Sequence, residues 1–152
     1  MSISEYLCAA LDKRTLPNII KNAIEFSRNI EFDSIAVRGM SGSIVASAIA
    51  FELEKNIIII RKDKDNTHSD ATVEYSFYPR KYIIVDDFIS SGKTIKTIIE
   101  EMEEDALKCH YDNPKCIGVF LYCDPDPDES KIVLKEINEE FGLKIKLFSS
   151  FI

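Results

Sequence analysis

Between residues 16 and 29 the apolar positions Leu16, Ile19, Ile20, Ala23 and Ile24 recur at three- and four-residue intervals. That is the repeat of one helix face, and Pro17 suits a first helical turn. The pattern then changes. Residues 33–38 read as a short strand, and residues 43–55 return to a helix of apolar and small residues. Residues 57–60 are four consecutive isoleucines, as expected of a strand buried on both faces. Residues 62–69 are polar without periodicity and read as a mobile loop, and residues 71–78 suit a short hairpin or an edge strand. Residues 82–85 are a second buried run, residues 94–108 a helix with an acidic face, and residues 116–122 a strand. Residues 129–141 predict an amphipathic helix stopped by Gly142, and residues 143–148 a last strand.

Strands alternating with helices predict an α/β fold, a single domain over residues 1–152, with a parallel sheet and helices on both faces. Ligands of such sheets bind beyond the carboxyl ends of the strands, near the point where strand order reverses. Composition agrees: 152 residues, 45% hydrophobic and 30% charged, describe an ordinary globular chain. No apolar run approaches ~18 residues, so no membrane span is expected. The start, Met1-Ser-Ile-Ser-Glu-Tyr, has no secretory pattern, and the expected location is cytoplasmic. A net charge of −7 argues against nucleic acid as a partner. Cys8, Cys109, Cys116 and Cys123 have no CxxC spacing, which argues against a zinc site or disulfide framework; buried free thiols are expected.

The chemistry concentrates in one stretch. The run Ile83-Ile84-Val85 ends in two adjacent acids, Asp86 and Asp87, followed by Phe88-Ile89, Ser90-Ser91, Gly92, Lys93 and Thr94. Two carboxylates can accept hydrogen bonds from a vicinal diol, and loop amides at a helix N-terminus can cradle a phosphate. A sugar phosphate is the ligand this suggests. Ser91-Gly-Lys-Thr mimics the end of a P-loop, but that loop needs glycine five residues before Gly92, and Asp87 stands there. A receiver domain also pairs acids, though on an earlier strand.

The stretch resembles the phosphoribosyl-pyrophosphate (PRPP) loop of the type I phosphoribosyltransferases, matching it at every position from Ile83 to Thr94. The resemblance implies that Asp86 and Asp87 hold the ribose hydroxyls, and that Ser90, Ser91, Gly92 and Thr94 hold the 5′-phosphate, with Lys93 beside them. Arg38-Gly39, followed by Gly42, looks like the family's pyrophosphate loop, with a strained or cis Arg38–Gly39 peptide. Arg61-Lys62 resembles the pair that opens a flexible catalytic loop in adenine and orotate members, and it would bring Lys64 and His68 toward the leaving group. Asp86, Asp87, Arg61 and Lys62 are the implied catalytic residues. Arg38, Gly39 and residues 90–94 complete the implied PRPP site.

The implied activity is transfer of the phosphoribosyl group of PRPP to a nucleobase with release of pyrophosphate. A PRPP- or nucleotide-binding regulatory protein of the same fold is the alternative. Mg²⁺ is the implied cofactor, held mainly by substrate, with no protein ligand set. Expected partners are PRPP and a nucleobase or other small acceptor, with a homodimer as a candidate assembly, and neither nucleic acid nor membrane. Some purine-salvage members carry an acid where Ser90 stands, so a hypoxanthine or guanine enzyme of that pattern is not expected. The only segments available for a base-binding hood are residues 3–11 and 148–152, with Phe148 or Phe151 as candidates to stack on a base. Asp124-Pro-Asp-Pro-Asp lacks the glycine of an EF-hand loop and reads as a cap of the following helix, with Tyr122 or Asp124 candidates to lie near the base.

Overall fold

The computed structural model describes residues 7–62 and 71–149. In chain order the elements are α1 (Cys8–Leu11), α2 (Leu16–Ser27), β1 (Ser34–Val37), α3 (Met40–Leu53), β2 (Asn56–Ile60), β3 (Val73–Tyr75), β4 (Lys81–Asp86), α4 (Lys93–Cys109), β5 (Lys115–Leu121), α5 (Pro127–Phe141) and β6 (Lys146–Ser149). The strands form one six-stranded sheet in the order β3-β2-β1-β4-β5-β6. Every neighbouring pair is parallel except β2–β3, so the sheet is mostly parallel with one short antiparallel edge. Strand order reverses between β1 and β4.

Side-chain alternation along the strands builds two cores. Ile35, Val37, Ile83, Val85 and Phe120 face α2 and α3. Ala36, Ile58, Ile84, Val119 and Leu121 face the other way, onto Ile95, Ile98 and Met102 of α4 and Leu134 and Ile137 of α5. At the amino ends of the strands one side chain sets the alignment. Asp33 Oδ2 accepts the backbone N–H groups of Arg80 (3.0 Å) and Lys81 (3.2 Å). Its carbonyl accepts the N–H of Asn56 at 3.1 Å. The starts of β1, β2 and β4 are thereby tied together.

The sequence pattern placed the start of the third helix too late. The helix was expected from residue 43, yet α3 begins at Met40. Gly39 is its N-cap, with φ 107° and ψ 174°, a conformation closed to residues with a Cβ. The turn that Gly39 makes is sharp enough for helix to follow strand at once. Ser43 reinforces it, its hydroxyl donating to the Gly39 carbonyl at 2.7 Å. The described residues contain no cis peptide, so the Arg38–Gly39 bond is trans and the unusual geometry resides in Gly39.

Gly42 therefore lies inside the helix. A Cβ there would sit 2.4 Å from the backbone carbonyl oxygen of Val85. Its missing side chain lets α3 press against the end of β4. Phe148 is also relocated: its ring lies 5.3 Å from those of Phe26 and Phe120, packed on the sheet, which removes it as a base-stacking candidate. Among the cysteines Cys116 is buried and Cys123 half-buried, but Cys8 and Cys109 are exposed, against the expectation that all four are buried.

Replacing Gly42 with alanine should force α3 off β4 and cost about 1–3 kcal/mol in urea unfolding. Gly142→Ala is the comparison, because a Cβ there meets nothing within 4 Å. Its cost is confined to the left-handed backbone, about 1 kcal/mol. Gly42→Ala unfolding no more easily than Gly142→Ala would contradict the close contact.

Candidate functional site

Because β1 and β4 are parallel neighbours, their carboxyl ends open side by side at the reversal of strand order. A cavity of about 410 Å³ lies there. Arg38 enters it after β1, and Asp86 and Asp87 at the end of β4. The first-turn residues Met40 and Ser41 of α3, and Lys93, Thr94 and Ile95 of α4, line the same space. Neither helix has a side-chain cap at its N-cap residue, Gly39 or Gly92. Two sets of first-turn amides and two positive dipole ends thus meet at one cavity, an arrangement suited to an anion.

The acids are held differently. Asp86 is 8% exposed, and its Oδ1 accepts from the Ser41 hydroxyl (3.2 Å) and from the Asp87 backbone N–H (3.0 Å). Burial first, and the neighbouring carboxylate of Asp87 second, push its pKa up to about 7. Asp87 is half-buried, and its Oδ1 accepts the backbone N–H of Phe88 at 3.0 Å. Their carbonyls are also fixed, accepting the N–H groups of Tyr122 (3.3 Å) and Cys123 (2.9 Å) where β5 runs on alongside. Tyr122, fully buried, donates its hydroxyl to the Ser41 carbonyl at 3.0 Å. A chain of contacts from β5 through α3 therefore sets where Asp86 stands.

From Phe88 to Gly92 the chain turns from β4 into α4. Gly92 closes the turn at φ 72°. A Cβ there would strike Val133 (2.8 Å) and Ile137 (2.9 Å) of α5, so the loop is backed by a packed helix. Ser90, Ser91 and Lys93 are exposed toward the opening.

A family model described as PRTase-CE matches residues 2–148. The chain belongs to that family, and so to the type I phosphoribosyltransferases. Among similar proteins is an orotate phosphoribosyltransferase of Sulfolobus acidocaldarius, 31% identical over 62% of this chain and 51% of its own length. Another is the transcriptional regulator GfcR of Methanocaldococcus jannaschii, 32% identical over 62% of this chain and 46% of its own. The chain thus spans about half the length of these curated relatives. Among solved structures, the orotate phosphoribosyltransferase of Mycobacterium tuberculosis in complex with PRPP superimposes with a TM-score of 0.62. At 17% identity over 93% of this chain and 76% of that one, it shares the fold.

In this PRTase-CE protein the cavity gathers most of the residues expected from sequence: Arg38, Lys62, Asp86 and Asp87 together with Ser90, Ser91, Gly92, Lys93 and Thr94. Gly39 lies just beneath, its backbone covered by Lys62, whose Nζ is 2.8 Å from where a Cβ would stand. Arg61 does not line the cavity; its guanidinium pairs with Glu74 on β3. Lys64, His68 and Phe151 lie outside the described residues, as does the loop of residues 62–69 beyond Lys62. Of the expected hood, Leu7 reaches the cavity.

Tyr122 and Asp124 do not line the cavity, although Tyr122 reaches Ser41 at its edge. Asp124 is fully buried, its Oδ1 accepting from the Ser130 hydroxyl at 3.0 Å, and Asp126 caps α5 by accepting the Glu129 N–H at 3.1 Å. The contribution of Ser41 to the acid pair was not singled out from sequence. A serine three residues after Arg38, within the stretch that resembles the pyrophosphate loop, is the signal that the sequence offered.

The folded protein keeps the Asp86 proton up to about pH 7, whereas an unfolded chain releases it near pH 4. The native state therefore binds the extra proton across that window, and stability falls as pH rises through it, then levels. Thermal melts of the ligand-free protein should show this slope, and Asp86→Asn should flatten it. Parallel profiles for the two proteins would contradict a buried acid at this position.

Proposed function

We propose that this protein transfers the phosphoribosyl group of PRPP to a nucleobase, releasing pyrophosphate. One observation carries the reading: the acid pair ending β4, the Arg38–Gly39 turn ending β1, and the uncapped first turn of α4 share one cavity. In the proposed reaction the bond from C1 of the ribose to pyrophosphate breaks, and pyrophosphate leaves with the electron pair. A base nitrogen bonds to C1 and gives up its proton. Positive charge grows on the ribose ring and negative charge on the leaving group.

Asp86 and Asp87 would accept the ribose hydroxyls and face the growing positive charge, which favours the ionised form of Asp86. The amides of residues 90–94, with Ser90, Ser91 and Thr94, would take the 5′-phosphate at the positive end of α4. Arg38 and Lys62 would face the pyrophosphate. Mg²⁺ is the proposed cofactor, and the two carboxylates in the cavity are hard oxygen donors that fit it. Held mainly by substrate oxygens, it would neutralise charge on the leaving group.

A second reading has support of its own, since relatives of comparable identity are named transcriptional regulators. On that reading the cavity binds PRPP or a nucleotide without turnover. On the transferase reading the acceptor is a nucleobase or another small nucleophile. The proposed setting is the cytoplasm, a reading supported by the exposed free thiols of Cys8 and Cys109. A homodimer is the proposed assembly, supported by Phe51 of α3, which is 83% exposed. No helix among the described residues is long and apolar enough to cross a membrane.

Pyrophosphate release from PRPP with Mg²⁺, measured across a panel of nucleobases with PRPP calorimetry alongside, tests the reading. Release with one base is expected, and Asp87→Asn should lower it about 100-fold or more while weakening PRPP binding. Binding without release from any base would favour the regulatory reading. Wild-type protein that does not bind PRPP would overturn both.

A further inference from the structure

Arg61 follows directly on β2, and its neighbour Lys62 lines the cavity. The Lys62 carbonyl accepts from Nη2 of Arg38 at 3.3 Å, so the ends of β1 and β2 are stitched together beside the anion site. The Arg61 backbone thus stands one residue from that site. Its guanidinium goes elsewhere, into an ion pair with Glu74. The β2–β3 register explains how. Glu74 lies opposite Ile59 across the antiparallel pair, and Arg61 follows Ile59 by two residues, on the same face of the sheet. The backbone N–H of Arg61 donates to the Thr72 carbonyl at 3.0 Å, which continues the strand pairing past Ile60 and keeps the diagonal contact in reach.

This pairing answers an electrostatic problem. Arg38 and Lys62 already place two cations at the cavity, with the Lys62 ammonium against the Gly39 backbone. Asp86 and Asp87 already face those two cations in the same cavity, so a third would have no counter-charge left within it. Glu74 supplies the missing negative charge a short distance away, on the sheet edge. The side chains of Arg61 and Glu74 are 28% and 41% exposed, although the Glu74 Oε1 that meets the guanidinium is itself covered, so the pair is only partly screened by water and gives way to a partner of greater charge. A pyrophosphate group offers more charge and paired acceptor oxygens, which match the guanidinium fork.

We propose that Glu74 is a positioning residue, which stores the Arg61 guanidinium on the sheet edge and releases it to the second phosphate of a pyrophosphate-bearing ligand. The proposal rests on the reading of the cavity as a PRPP site. It adds a residue outside the cavity, on a strand the function did not otherwise use, and it makes ligand affinity depend on a competition between two anions for one cation.

The test is calorimetry with inorganic pyrophosphate and, separately, inorganic phosphate, on wild type, Glu74→Gln, Arg61→Gln and the double variant. Thermal melts check that each folds. Glu74→Gln should raise pyrophosphate affinity about two- to fivefold or more, since the pair is only partly exposed, and leave phosphate affinity unchanged. Arg61→Gln should lower pyrophosphate affinity about fivefold or more. In the Arg61→Gln background, the Glu74 change should have no effect. An equal gain with and without Arg61 would reduce the effect to general charge and overturn the proposal, and so would no gain in Glu74→Gln. If wild type binds pyrophosphate and neither single variant differs from it, the storage role alone fails. If wild type does not bind pyrophosphate, the PRPP reading fails with it.

Discussion

The contact between Gly42 and the Val85 carbonyl fixes the rest of this site. A helix and a strand approach so closely there that a single added carbon has nowhere to go. The approach brings the first turn of α3 level with the end of β4. From that level Ser41 reaches Asp86 with its hydroxyl and Tyr122 with its carbonyl, so one residue joins α3, β4 and β5 at the rim of the cavity. Without the contact the acids would still end a strand, but nothing would hold them against the second helix N-terminus.

The charge arrangement follows the same economy. A carboxylate as buried as Asp86, next to another, is held at a cost, and that cost is the reason its proton is retained so far up the pH scale. Two helix dipoles and the cations Arg38 and Lys62 surround the acids, and among the described residues no ion pair joins them to the acids. A ligand that brings hydroxyl donors to the acids and phosphates to the cations answers both sets of groups together. For the proposed reaction this would be preorganisation in the electrostatic sense, with the groups placed before the charges of the ligand arrive.

The stretch from Ile83 to Thr94 was legible because local patterning and chemistry agree there. An apolar run, two acids, a glycine and a helix must follow one another in the chain, and they do. The start of α3 was not legible in the same way. Glycine and serine are poor helix formers, so Gly39-Met-Ser-Gly-Ser reads as loop until the Val85 carbonyl explains why residue 42 has no side chain. The partner of Arg61 was hidden for another reason: Glu74 is brought to it by strand register, and one sequence does not display register across a pair whose second member is three residues long. Phe148 misled because an aromatic near a chain end looks available, whereas β6 returns it to Phe26 and Phe120.

Gly92 has a consequence for how portable this site is. The turn that would cup a phosphate owes its shape to Val133 and Ile137, which press on it from the side away from the ligand. Grafting residues 86–94 onto another strand–helix junction would transfer every polar atom of the loop and leave its ceiling behind. The unit of inheritance for this pocket is therefore larger than the loop that lines it: it includes α5, whose Val133 and Ile137 give that loop its curvature.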